Sequence, residues 1–264
     1  MKEDNILTVN NLSLLLKKSG RNFKLLDNIN FSVPKNKIIG IVGETGSGKT
    51  LLMLSIMKML SSDIKIQSGD IIFMNQNLVD KSDKEIKEIR NKDLVMIFQN
   101  QKLSLSPVYK ISTQMKDIIK AHKKLNKKEL ESYCFSLLKQ VGFKDPEFVL
   151  EKYPFEISGG MFQRVMLAIA MSIEPKLLIA DEPTAALDPE AQEYILLIIK
   201  KFQEKLKNSF IIVTHDFSVI KKICTDVIVI KNGKIIEQNT TRDILNNPKS
   251  EYTKKLIELS KYYV

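Results

Sequence analysis

A short apolar run, residues 37–42 (KIIGIV), leads directly into GETGSGKT at residues 43–50, and residues 50–60 behind it read as a helix. Strand, glycine-rich loop and helix in that order match the phosphate-loop pattern GxxxxGK[ST] in its proper context. Gly43, Gly46 and Gly48 let backbone N–H groups curl around an anion, with Glu44, Thr45 and Ser47 completing the loop. The helix N-terminus behind it favours negative charge. In such a loop Lys49 reaches the β- and γ-phosphates and Thr50 holds Mg²⁺.

The rest of the chain alternates around this unit. Residues 7–16 and 24–33 read as strands, with Pro34 closing the second. Ser68-Gly69-Asp70 reads as a turn into a strand at 71–74, and Ser82 with Glu85 three residues on is a capping box for a helix reaching about Asn91. A buried strand follows at 94–98. Residues 110–150 change character: they are Lys-rich and helical, with Leu130, Tyr133, Cys134, Leu137 and Leu138 at helical spacing over 127–141. Strand-helix alternation then resumes. A helix follows Ser158, a strand spans 177–180, and a long helix starts at Pro189 with Asp188 as its cap. A strand at 210–214 comes next, and Asn232-Gly233 signals a hairpin between 227–230 and 234–237. This order predicts a largely parallel α/β sheet with ligands at its carboxyl edge, interrupted by a helical insertion. Met53, Met57 and Met59 read as core filler behind the loop.

Composition excludes several classes. The chain has 264 residues, enough for one large unit or two small lobes at about 150 residues per domain. Its two cysteines, Cys134 and Cys224, rule out a disulfide framework and a zinc ribbon and fit a reducing compartment. No apolar run approaches the roughly 20 residues of a membrane span, and the N-terminal residues lack a signal peptide's apolar core. The net charge of +10 raises nucleic acid or an anionic surface as a partner. Only four of the 41 basic residues are Arg, however, and the lysines are scattered, which favours a Lys-rich surface over a phosphate or base reader.

A second acid pair completes the chemistry. LLIADEP, at residues 177–183, delivers Asp181 and Glu182 at the end of an apolar strand, beside the glycine loop in a parallel sheet. Asp181 suits the metal side of a nucleotide site, and Glu182 is placed to polarise a water for attack on a γ-phosphate.

Between these halves stands ISGGMFQR, residues 157–164, which resembles the signature of ATP-binding cassette (ABC) ATPases. The likeness continues in the family's order: Gln99 in MIFQN resembles the Q-loop glutamine, Asp181 and Glu182 the Walker B acids, AALD at 185–188 the D-loop, and His215 in IIVTHD the switch histidine. The resemblance implies an α/β P-loop NTPase cassette: a RecA-like core with an antiparallel β subdomain (residues 1–100 and 158–264) and a helical subdomain at about 101–157. It implies ATP and Mg²⁺ as cofactors, with Thr50, Gln99 and Asp181 at the metal and Glu182, His215 and Gln99 in catalysis. It also implies that Ser158, Gly159, Gly160 and Asp188 meet nucleotide held by a second cassette, and that Gln99 couples the nucleotide to the helical lobe. That lobe would receive a membrane subunit.

Branch follows from finer motifs. About a hundred residues separate Lys49 from Ser158 without sustained heptads, and one cassette is present, unlike coiled-coil or tandem relatives. MIFQNQKLSLSP (96–107), SGGMFQRVMLA (158–168) and NPKSEYTKKLI (247–257) resemble the dipeptide, oligopeptide and nickel importers, although Phe162 replaces their usual Arg and Ser250-Glu251 their His-Pro. The short stretch after the YT tail resembles the nickel-type members. The resemblance implies an energy-coupling ATPase at the cytoplasmic face of the cell membrane. Its partners would be a similar, non-identical second cassette, two permease subunits and, indirectly, a solute-binding protein. A soluble ABC ATPase acting on nucleic acid is the alternative. For the adenine, Leu16 falls near the usual stacking position and Phe23 is the nearest aromatic; with His122 and His215 as its only histidines, the chain holds no nickel site of its own.

Overall fold

Strand β3 (Ile38–Val42) is buried along its whole length and forms the middle of a six-stranded sheet. The computed structural model describes residues 4–18, 20–99, 104–185 and 187–261, the last without its side chain. Parts of two expected motifs, residues 100–103 of the extended Q-loop and Ala186 of the D-loop, lie outside the described residues, as do the chain ends. β3 pairs in parallel with β8 (Ser209–Thr214) and β9 (Asp226–Lys231). β7 (Leu177–Asp181) and β6 (Leu94–Ile97) extend the sheet beyond β8, also in parallel, and β10 (Lys234–Thr240) closes the other edge antiparallel to β9. The order is β10-β9-β3-β8-β7-β6.

Period-two alternation divides the core between the sheet's faces. Ile39, Ile41, Leu177, Ile179, Ile211 and Val213 join one apolar cluster; Ile38, Val42, Leu178, Ala180, Phe210 and Ile212 join the other. The first face is covered by α1 (Lys49–Ile56) and by a four-stranded antiparallel sheet in the order β2-β1-β4-β5. Those strands are β1 (Asn5–Lys18), β2 (Arg21–Pro34), β4 (Ile64–Phe73) and β5 (Gln76–Asn77). α2 (Asp83–Arg90) packs beside them through Ile86.

The second face carries α6 (Gly159–Ser172), α7 (Pro189–Leu206) and α8 (Phe217–Ile223), followed by α9 (Thr241–Asn246) and α10 (Glu251–Lys261). The helical insertion comprises α3 (Ile111–His122), α4 (Lys127–Gln140) and α5 (Pro146–Glu151). Its buried Met115, Ile119, Leu130 and Leu137 belong to the same cluster as Val165 and Ile169 of α6, so it shares the core's apolar packing. Each such side chain contributes about 1.5–3 kcal/mol when fully buried.

Local signals specify several boundaries. Ser82 Oγ accepts the Glu85 N–H, and Glu85 Oε2 accepts the Ser82 N–H at 2.9 Å, the reciprocal box expected for α2. Asp188 Oδ1 accepts the Ala191 N–H at 2.9 Å with Pro189 as the first residue of α7. Asn232 and Gly233 take φ 48° and 72°, the two left-handed residues a tight hairpin between β9 and β10 requires.

Four expectations are corrected. Ser68-Gly69-Asp70 is not a turn: it lies inside β4, which starts at Ile64, and Gly69 (φ 96°) sits at a register shift against β1. A Cβ there would fall 2.5 Å from the Asn10 and Asn11 carbonyl oxygens, so the glycine marks a bulge in a continuous strand. The helix after the glycine loop ends at Ile56 rather than Leu60. Lys58 turns to φ 51°, and the Lys58 and Met59 N–H groups cap the Ser55 and Leu54 carbonyls, a Schellman ending made without glycine. The Lys58 ammonium secures it by donating to the Val79 and Lys81 carbonyls. Met53 and Met57 are core residues, but Met59, beyond that turn, is exposed. Finally, β8 stands between β3 and β7, so the acid pair lies one strand away from the loop's own strand.

Candidate functional site

The loop after β3 is held from behind by the C-terminal hairpin. A Cβ on Gly43 would meet the Ile230 carbonyl oxygen at 2.2 Å, and one on Gly48 would meet Leu26 Cδ2 at 2.8 Å. The Gly233 N–H donates to the Ser47 carbonyl at 2.9 Å, and Gly233 in turn accepts from the Asp27 N–H. Glycine at these positions lets three backbones converge.

Within the loop, Lys49 is buried and donates to the Gly43 carbonyl at 2.7 Å and the Glu44 carbonyl at 3.0 Å. Burial pulls its ammonium below the ordinary lysine range, opposed by the charges of Glu182 and Asp181. Thr50 Oγ1 donates to Asp181 Oδ2 at 2.9 Å across the sheet's carboxyl edge. Burial pushes the Asp181 carboxyl above its usual range, with the Thr50 bond acting the other way. Thr50 and Asp181 thus form a pair of hard oxygen donors beside Lys49, which fits a divalent cation that takes its other ligands from phosphate and water. Among the described residues no group of three or more His, Cys, Asp and Glu converges on a metal position.

Glu182 follows Asp181 with φ 50°, a left-handed turn that swings its side chain out of the strand direction. Its N–H remains tied to the Val213 carbonyl at 2.8 Å. Its Oε1 lies 2.8 Å from His215 Nδ1 and its Oε2 3.3 Å from Thr214 Oγ1. A carboxylate accepts, so Nδ1 bears the proton in this pair. Glu182 is buried, whereas the His215 side chain is 64% exposed at the strand tip.

Thr45, Gly46, Gly48, Lys49, Thr50, Gln99, Asp181 and Glu182 line one cleft of about 310 Å³. The Gly43 and Glu44 carbonyls hold Lys49, the Ser47 carbonyl is tied to Gly233, and His215 reaches the cleft through Glu182. Leu25 also lines it, which sequence reading missed; Phe23, two residues earlier in β2 and beyond a register shift, is half-exposed and pairs with Leu16 of β1.

Ser158, Gly159, Gly160 and Asp188 line a different cleft, of about 780 Å³, together with Leu187 and Tyr194. Ser158 caps α6 by accepting the Met161 N–H at 3.3 Å. Among the described residues, nothing lies within 4 Å of a Cβ built on Gly159. Phe162 is buried in the core, which accounts for an apolar residue at that helical position.

The parallel sheet, the phosphate loop at a helix N-terminus and the acids at the carboxyl edge define the class: a P-loop nucleotide-binding cassette. The family described as ABC transporter matches residues 26–185, and the chain belongs to that family. It is 37% identical over 252 residues to the dipeptide transport ATP-binding protein DppD of Haemophilus influenzae, covering 96% of this chain and 76% of that one. It is 35% identical to the metal-staphylopine import system ATP-binding protein CntD of Staphylococcus aureus, covering 90% and 87%. Among solved structures, the dimeric post-hydrolysis cassette MJ0796 bound to ADP and Pi superposes with a TM-score of 0.80 at 25% identity, over 89% of this chain and 99% of that one. CbiO1 of Clostridium perfringens, part of the transporter complex cbiONQ, superposes at 0.79 and 27% identity over 99% of both. The protein is an ATP-binding member with the ATPase activity of the family.

Proposed function

We propose that this chain is the energy-coupling ATPase subunit of an importer and that it works in a head-to-tail pair with a second, similar but non-identical cassette. The observation that carries the pairing is the separation of the two anion-seeking helix N-termini. The signature residues Ser158–Gly160 line a different cleft from the chain's own phosphate loop, and among the described residues nothing lies within 4 Å of a Cβ built on Gly159. A second cassette's nucleotide fits that space. The dimeric relative bound to ADP and Pi supports this arrangement.

In this reading the loop N–H groups and Lys49 bind the ATP phosphates, and Thr50, Asp181 and Gln99 would hold Mg²⁺, which would supply positive charge to the phosphates. Glu182 orients the attacking water and takes its proton, and His215 keeps the carboxylate in line through the 2.8 Å contact. Gln99, two residues past β6, reports nucleotide state to the helical insertion.

The chain forms a single cassette in this reading, with residues 1–100 and 158–264 as core and 101–157 as helical subdomain. That subdomain exposes Val108, Tyr109, Phe148 and Phe155, which suits docking of one of two permease subunits. A solute-binding protein acts beyond them. The chain lies peripherally on the cytoplasmic face of the membrane, where its scattered lysines face anionic lipid; no described helix is long and apolar enough to cross it. Relatives named for dipeptide and oligopeptide transport, at 37% and 38% identity, support a peptide as solute, and the metal-staphylopine relative supports a metal chelate as the second class. Relatives named for transport favour this reading over action on nucleic acid.

The test is Glu182→Gln, which retains nucleotide binding and removes the base. ATPase activity should fall about 10²–10⁴-fold, and Mg-ATP should trap a dimer with the partner cassette on size exclusion. A variant that hydrolyses ATP at the wild-type rate, or stays monomeric with its partner and ATP, sinks the proposal.

A further inference from the structure

The Gly43–Glu44 peptide is gripped from both sides. Its carbonyl accepts the Lys49 ammonium at 2.7 Å, and its N–H donates to the Tyr252 hydroxyl at 3.0 Å. A trans peptide points these groups in opposite directions, so the tyrosine stands behind the loop while Lys49 stands in front. Tyr252 comes from the first turn of α10, over two hundred residues away in sequence.

The tyrosine is itself firmly placed. Glu237 of β10 accepts the Lys249 N–H at 2.8 Å and the Ser250 N–H at 3.0 Å, fixing the turn that starts α10. Ser250 Oγ then accepts the Tyr252 N–H at 3.2 Å. The Lys231 ammonium lies 4.4 Å above the Tyr252 ring, and the side chain is 9% exposed. Leu256 and Ile257 anchor the helix in the core.

We propose that Tyr252 is a positioning residue of the nucleotide site: its hydroxyl sets the orientation of the Gly43–Glu44 peptide, and through it the place of Lys49. The proposal rests on the phosphate-loop reading given above. Without the hydroxyl the part-buried Glu44 N–H loses its acceptor, and the peptide relaxes toward another one. Such a rotation moves the carbonyl that holds Lys49 and disturbs the loop that follows. The NPKSEYTKKLI segment thereby acquires a role in nucleotide binding that its distance from the loop conceals.

The experiment compares Tyr252→Phe, Tyr252→Leu and Lys49→Ala in the full chain, measuring Kd for Mg-ATP by calorimetry, KM and kcat for ATP, and Tm. Tyr252→Phe removes one oxygen and keeps the ring. Its Kd and KM should rise about 5- to 10-fold, with kcat changed less than about twofold and Tm nearly that of the wild type. Tyr252→Leu should lose the same affinity and also lower Tm. Wild-type Kd and KM in Tyr252→Phe overturn the proposal, as does an affinity loss that merely follows Tm across the two variants. Lys49→Ala separates the two readings: if it binds ATP normally the phosphate-loop reading has failed, and if it does not, a silent Tyr252→Phe counts against the tyrosine alone.

Discussion

Two helix N-termini in this chain present glycine-rich turns, yet they are built differently. The one at α1 is finished. Gly43 and Gly48 are pressed against neighbouring backbone and side chains, Lys49 lies on two carbonyls, and Thr50 is paired with Asp181. The one at α6 is open: Ser158 and Gly159 are exposed, and no described residue lies where it would exclude a side chain on Gly159. A glycine forced by its own chain's packing reports on folding. One that its own chain leaves free reports on whatever approaches from outside.

The sharpest way to break this comparison is Lys49→Ala. It removes a buried ammonium from the finished site, and ATP affinity measured by calorimetry should fall about 10- to 100-fold, the range for losing a charge-assisted bond. Retained affinity would mean that the phosphates bind elsewhere. Next in size is the glycine pair. Gly43→Ala forces a Cβ to within 2.2 Å of the Ile230 carbonyl, and should destabilise the fold by about 1–3 kcal/mol, read as a lower midpoint in urea. Gly159→Ala should leave the midpoint within about 0.5 kcal/mol of wild type, or slightly stabilise the helix, while weakening ATP-dependent dimerisation on size exclusion. Equal midpoints for the two variants would dissolve the contrast.

The smallest effect concerns α2, remote from both sites, and serves as a control. The Lys81 ammonium and the capping bonds from Ser82 hold the Glu85 carboxyl down at about 2, against an ordinary value of 4.5. A depressed carboxyl contributes stability that is fully present above the unfolded value and is lost as pH falls through the folded one. Glu85→Gln should therefore lower Tm slightly at pH 7, and its difference from wild type should shrink between about pH 4.5 and 2. ATP affinity should be unchanged; a shift there would show that α2 communicates with the cleft.

Elements whose signals are local are legible in the sequence itself. The capping box at Ser82 and Glu85, the Asp188-Pro189 start of α7 and the Asn232-Gly233 hairpin each involve a few consecutive residues, and the bonds that form are those the spacing implies. The placement of residues 43–50, Asp181, Glu182 and His215 at the sheet's carboxyl edge was legible for the same reason, since each lies on or just beyond a strongly apolar strand. Misreadings arose where tertiary contact overrode a local signal. Ser68-Gly69-Asp70 has turn chemistry, but pairing with β1 on one side keeps it inside a strand. Lys58 carries no helix-stop signal, yet two carbonyls on another segment hold it in a left-handed ending.

The sequence alone determined that this chain would build a phosphate loop on a parallel sheet, because a loop of that kind is specified by eight adjacent residues and the strand and helix that flank them. It also placed Asp181, Glu182 and His215 at that edge of the sheet. Only the tertiary structure decided that the signature faces a cleft of its own, that β8 lies between the loop's strand and the acids, and that Tyr252 supports the loop from behind. These relations join residues far apart in the chain, and their geometry depends on strand order and packing, which no short window of sequence encodes.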